Sequence, residues 1–146
     1  MTRLELLQFM RVQRLAVQAS VSQSGAPQAA VVGIAVSDHF EVIFDTLQSS
    51  RKAQNLRRNP KIAFVMGTQG DERTVQYEGL TDEPQGEELE LLKKLYFDVF
   101  PDGRERQSWP GLIYVRARPT WIRYSDYNRS PAEIVEFGPE QISRLG

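Results

Sequence analysis

The residues best suited to chemistry lie between Thr46 and Pro60, where the chain reads Thr-Leu-Gln-Ser-Ser-Arg-Lys-Ala-Gln-Asn-Leu-Arg-Arg-Asn-Pro. Ser50 is a good helix N-cap, which puts Arg51 and Lys52 in the first helical turn. Cations are ordinarily disfavoured beside the positive end of a helix dipole, by a few tenths to about 1 kcal/mol. Two together therefore point to an anion held there. Free backbone N–H groups, the Ser50 hydroxyl, a guanidinium and an ammonium make a phosphate cradle. The competing reading is two solvated cations at a helix start.

The remaining chemistry-bearing residues narrow the choice. Zero cysteines exclude disulfides, thiolate metal sites and cysteine nucleophiles, and fit a reducing, cytoplasmic compartment. The sole histidine, His39, falls at a hairpin tip, so neither a Ser-His-Asp set nor a metal cluster is expected. A net charge of -1, from 18 basic and 19 acidic residues, gives no global attraction to nucleic acid or membrane, so an anion site must be local. Arg57, Arg58 and Lys61 extend the basic run, but no aromatics interleave it; nucleic acid is not an expected partner. No stretch is apolar and long enough to span a bilayer, and Met1 to Gln13 lacks a signal core.

The elements that position these groups follow from periodicity. With 146 residues, 40% hydrophobic and 25% charged, the chain suits one domain, residues 1–146. Leu4, Leu7 and Met10 recur at helical spacing. From Leu15 the period becomes two: Leu15, Val17, Ala19 and Val21 alternate with Ala16, Gln18 and Ser20, a half-buried strand. After the turn Ser24-Gly25-Ala26-Pro27, the run Gln28 to Val36 is apolar on both faces. Such a strand needs a second cover: a helix, another subunit or a flat cofactor. Gly33 leaves space within it for another backbone or a ring; a plain core strand with one small residue is the alternative.

Phe40, Val42 and Phe44 share one face of a third strand, with Glu41, Ile43 and Asp45 on the other. Asn59-Pro60 stops the central helix, Lys61 to Met66 forms a fourth strand, Thr68 to Glu72 a loop, and Thr74 to Asp82 a fifth strand with a bulge at Gly79. Pro84 to Phe100 is a helix with the stripe Leu89, Leu92, Tyr96 and Val99. A polar loop runs to Pro110, Gly111 to Tyr124 is a long strand interrupted at Pro119, and Ile134 to Phe137 packs on the body. Hairpin-joined strands with inserted helices, and no Gly-x-Gly-x-x-Gly, argue for an antiparallel β-barrel with flanking helices rather than a Rossmann fold.

This order, with Phe44-Asp45-Thr46, Ser50-Arg51-Lys52, Asn55-Leu56, Asn59-Pro60 and Pro119-Thr120-Trp121, resembles the pyridoxamine 5'-phosphate oxidase-like FMN-binding split-barrel family over about Leu15 to Asp126. The resemblance implies a six-stranded antiparallel split barrel that forms a homodimer, with FMN in the groove between subunits. It implies that Arg51 and Lys52 bind the flavin phosphate, helped by Ser50 and Thr46. The backbone of Ala30, Val31, Val32, Gly33 and Asp45 would line the isoalloxazine ring, and Trp121 would close the ring site or simply pack. Thr74 stands where true pyridoxamine phosphate oxidases carry a flavin-facing glutamine. The second strand lacks their basic residues, and the chain stops at Gly146 without their substrate-binding extension, so vitamin B6 oxidation is not expected. The expected function is a flavin-dependent oxidoreductase acting on an unidentified small molecule. The alternatives are the deazaflavin F420 as cofactor, or a non-enzymatic flavin carrier or sensor.

Overall fold

The computed structural model describes residues 1–67 and 70–145. Helix α1 (Arg3–Val12) opens with a capping box between Thr2 and Glu5. Strands β1 (Leu15–Val21) and β2 (Pro27–Gly33) form a hairpin, and β3 (Ala35–Val36) and β4 (Val42–Leu47) form a second. Then come α2 (Arg51–Arg58), β5 (Lys61–Met66), β6 (Arg73–Asp82), α3 (Gly86–Val99), α4 (Gly103–Arg106), β7 (Leu112–Asp126), β8 (Glu133–Phe137) and α5 (Pro139–Leu145).

The sheet order is β2-β1-β5-β6-β7-β4-β3, all antiparallel, with β8 added beside β7. Its two outermost places are held by β2 and β3, which are consecutive in the chain and separated only by Ile34. One run of chain thus pairs with β1 through its first half and with β4 through its second, and the curled sheet closes into a split barrel. Counting that run once gives the six expected strands; β8 is an addition to them.

Inside, Phe44, Phe64 and Tyr77 pack edge to face, with centroids 5.5–6.0 Å apart. The Tyr77 hydroxyl donates to the carbonyls of Phe40 (2.8 Å) and Ala117 (3.1 Å), satisfying a buried polar group. Helix α1 plugs one end with Leu6, Leu7, Phe9 and Met10. Leu4, expected on its apolar stripe, is exposed, and Leu6 and Phe9 take its place in the core.

Two further expectations are corrected. The period of two along β1 holds, but the inward residues are Ala16, Gln18 and Ser20, while Leu15 is exposed and Val17, Ala19 and Val21 are half-exposed. Ser20 accepts a hydrogen bond from buried Asn55 of α2, a contact distant in sequence, whereas the buried Gln18 Oε1 has no partner among the described residues. The β2 run was read as covered on both faces. In the chain itself Ala29, Ala30 and Val31 are exposed, Val31 by 64%.

The third strand, expected from Phe40 to Phe44, is β4 from Val42 to Leu47, with Phe40 in the preceding turn at φ 60°; the other elements fall close to where expected. β5 spans Lys61–Met66, and the register of β6 with β7 shifts at Glu78/Gly79, opposite Pro119 and Trp121. A Cβ on Gly79 would lie 2.5 Å from the Arg118 carbonyl oxygen, so the bulge requires glycine. Residues 68 and 69 of the expected Thr68 to Glu72 loop lie outside the described residues. The polar stretch before Pro110 contains the short α4, and the tail adds α5.

Candidate functional site

Ser50 caps α2 as expected, its hydroxyl accepting from the Ala53 N–H at 3.2 Å. The same oxygen lies 3.0 Å from the Thr46 hydroxyl, at the end of β4. Of the two hydroxyl protons, one joins the pair to itself, which leaves the other to donate outward. The first helical turn holds no acidic residue, and its geometry leaves the Arg51 and Lys52 N–H groups without intrahelical acceptors. Among the described residues neither Arg51 nor Lys52 enters an ion pair. Backbone donors, a spare hydroxyl and two cations without a carboxylate partner among the described residues are thus present at one helix start. That donor set fits a phosphate monoester dianion.

Arg51 is tied to β2: its Nε donates to the Gln28 Oε1 at 3.1 Å. The same oxygen accepts from Asn55 Nδ2 at 2.9 Å, and Asn55 also donates to Ser20 at 3.1 Å. Arg58 in turn donates to Asn55 Oδ1 at 3.1 Å. Asn55 is only 3% exposed. From sequence, Gln28 is only the first residue of a strand. The available signal was a lone long amide in an otherwise apolar run, and a polar Asn55 inside a short helix.

The other expected site residues are distributed as follows. Ala30, Val31, Val32 and Gly33 lead away from Gln28 along β2, so Ala30 begins roughly 7 Å from it. The space beside Gly33 is taken by a ring from the same chain, since a Cβ there would meet the Phe100 ring at 2.8 Å. The Asp45 carboxylate faces away from the cradle; it accepts from Arg106 (2.9 Å) and from the Tyr96 hydroxyl (3.2 Å). Burial pulls the Arg106 pKa down, but the Asp45 hydrogen bond and charge outweigh it and leave it raised. Burial first, then the Asp45 charge, pushes the Tyr96 phenol up.

Thr74 pairs with Ser125 at the start of β6. α2 lies against the other end of that strand, where Thr81 donates to the Pro60 carbonyl. Seven residues of strand, roughly 23 Å, separate the two ends, so Thr74 does not join Arg51 within one chain. Trp121 is half-buried and sits in the cross-strand row Ala29, Ala19, Ala63, Glu78, Trp121. It therefore shares the outer face of the sheet with the exposed residues of β1 and β2.

A split barrel is also what comparison with known proteins returns. The family model for pyridoxamine 5'-phosphate oxidase matches residues 3–126, and the chain belongs to that family. A pyridoxine/pyridoxamine 5'-phosphate oxidase of Bordetella avium (strain 197N) is 33% identical over 91 residues, 62% of this chain. That match spans only 41% of the relative's length.

Among solved structures, a heme binding protein from Mycobacterium smegmatis superposes with a TM-score of 0.83 at 14% identity, over 99% of this chain and 61% of its own. A pyridoxamine 5'-phosphate oxidase-related, FMN binding protein from Nostoc punctiforme PCC 73102 gives 0.68 at 12% identity, over 93% and 86%. At these identities the likeness shows the fold. No helix among the described residues is long and apolar enough to cross a membrane.

Proposed function

We propose that the protein is a homodimeric FMN-binding protein and acts as a flavin-dependent oxidoreductase on a small molecule. The observation that carries the reading is the cradle of Arg51, Lys52, Ser50 and Thr46, which has two positive charges, no carboxylate partner, and a β2 run beginning beside it. In this reading Arg51 presents a planar fork and Lys52 a point charge to the phosphate. The spare hydroxyl proton of the Thr46/Ser50 pair adds one donor, and the β2 backbone from Ala30 supports the ring. Bound FMN would supply the electron transfer, and the chain's residues hold and shield it.

The dimer is supported by the outer face of β2, β1 and β5. The row Val31, Val17, Val65 and the row Ala29, Ala19, Ala63 lie side by side on it, uncharged. A mainly apolar groove of about 490 Å³ continues them past Val21, Pro27 and Leu80, with Lys61 and Glu78 in its lining. A contiguous apolar sheet face left open to water marks an interface, and a second copy offers the same valine and alanine rows in return. Within such a dimer Thr74 and Trp121 reach the ring from the partner copy, because in one chain Thr74 is at the wrong end of β6.

The test is the absorbance spectrum of the purified protein, mass spectrometry of what denaturation releases, and light scattering after size exclusion. FMN release from a dimer, lost in Arg51→Ala/Lys52→Ala, is the expected result. Protein that takes up no added FMN, that carries F420, or that shows a haem Soret band would overturn the cofactor assignment. FMN that no added nicotinamide cofactor can reduce would leave a carrier or sensor in place of an oxidoreductase.

A further inference from the structure

We infer that Gln28 is a positioning residue that aims Arg51 at the anion without neutralising it. The inference rests on the FMN reading above and names what organises that site. An exposed arginine is rotamer-rich, and holding it in one geometry on binding costs affinity. Proteins commonly fix such a side chain with a carboxylate, as Arg57 is fixed here by Glu83 at 2.8 Å. A carboxylate also cancels the charge. Arg51 is instead held by a neutral amide oxygen, through Nε alone. Both terminal nitrogens of its guanidinium, the fork that grips two phosphate oxygens, stay available.

Gln28 is itself oriented from below. Its Oε1 receives two donors, from Arg51 and Asn55, which settles which way the amide faces. Asn55 is locked by its bonds to Ser20 and Arg58, and its burial leaves it no alternative rotamer in water. The order of command runs from the barrel interior (Ser20) through a buried helix residue (Asn55) to a strand residue (Gln28) and then to the cation. It also explains why β1 turns Ser20 inward.

The experiment compares FMN with riboflavin, which has the same ring and no phosphate, by fluorescence titration of wild type, Gln28→Met and Gln28→Glu, each also in an Arg51→Ala background. Gln28→Met is expected to weaken FMN roughly three- to tenfold, the cost of ordering one long side chain on binding, and to leave riboflavin within about twofold. Gln28→Glu keeps an acceptor for both donors and so preserves the fold. It should nevertheless weaken FMN at least as much as Gln28→Met, because its carboxylate competes with the phosphate for Arg51. Gln28→Met should not matter once Arg51 is alanine, whereas Gln28→Glu keeps a direct repulsion of the phosphate there. Equal losses for FMN and riboflavin, or a Gln28→Met loss that persists without Arg51, would reduce Gln28 to a strand-helix tie and overturn the inference. A wild type that does not prefer FMN to riboflavin refutes the phosphate cradle itself, and with it this role.

Discussion

The barrel's outer surface has two halves that differ in how they are finished. Over β3, β4 and β7, helix α3 lays Leu92, Tyr96 and Phe97 onto Ala35, Ile43 and Tyr114. Two of the arginines there are neutralised. Arg116, 3% exposed, is gripped by Asp82 through two bonds (2.9 and 2.6 Å) and by Glu88, and Arg106 by Asp45. Among the described residues, no helix lies on the valine and alanine rows over β2, β1 and β5, and at their edge Arg51 and Lys52 have no carboxylate partner. The covered half is complete in one chain. The bare half has the composition of a core face and the electrostatics of a binding site, which is what a surface completed by something else looks like.

The largest effect that would break this contrast comes from placing one charge on each half. Ile43→Asp buries a carboxylate under α3 and is expected to cost more than about 4 kcal/mol and abolish folding. Val31→Asp should leave a folded chain with nearly unchanged circular dichroism but convert a dimer to a monomer on size exclusion. A dimeric, flavin-loaded Val31→Asp protein would mean the bare half is not the contact face.

Next in size is Arg116→Met. It leaves Asp82, Glu88 and Glu41 crowded around the exposed Arg118 alone, at 3.4–3.6 Å, and should cost about 3 kcal/mol in urea unfolding, at the low end for a broken buried pair because the acids are partly solvated and keep that second cation. The corresponding change on the bare half, Arg51→Met, should leave apo-protein stability within about 0.5 kcal/mol. Its cost appears in FMN binding, about 2 kcal/mol by titration, for loss of charge-assisted hydrogen bonds.

The smallest expected effect is on acid stability. The Asp82 carboxyl is held below its ordinary value by hydrogen bonds from Arg116, against the opposing effect of burial, and the Glu83 carboxyl likewise by Arg57. Folded values below unfolded ones mean that this stabilisation is complete above the unfolded values, about pH 4 to 4.5, and is lost as pH falls through the lower folded ones. The urea midpoint should therefore be flat from pH 7 to about pH 5 and decline below about pH 4. Arg116→Met should flatten that decline.

What the sequence made legible was the local chemistry. Ser50 caps because its hydroxyl reaches Ala53, Pro60 ends a helix it cannot continue, and Gly79 marks a bulge where a Cβ would strike backbone; each depends on a few neighbouring atoms. The face of β1 was not legible, because period two says that residues alternate and not which set goes in. Ser20 goes inward on the strength of Asn55, 35 positions away. Gly33 suggests space for another backbone or a ring, or a plain core strand, and only the fold shows that a Phe100 ring from the same chain fills that space. The cations of the cradle were visible from their types and spacing, whereas Gln28, which holds one of them, becomes visible only when β2 and α2 are brought together.

The single residue Ile34 has a further consequence. Because the same run of chain supplies both margins of the sheet, sliding either margin by one step drags the other with it, and an inserted residue at Ile34 would turn one margin's side chains inside out relative to the other. The seam of the barrel is thus its register gauge. Length at this junction, rather than the identity of any side chain along it, sets whether the two margins meet.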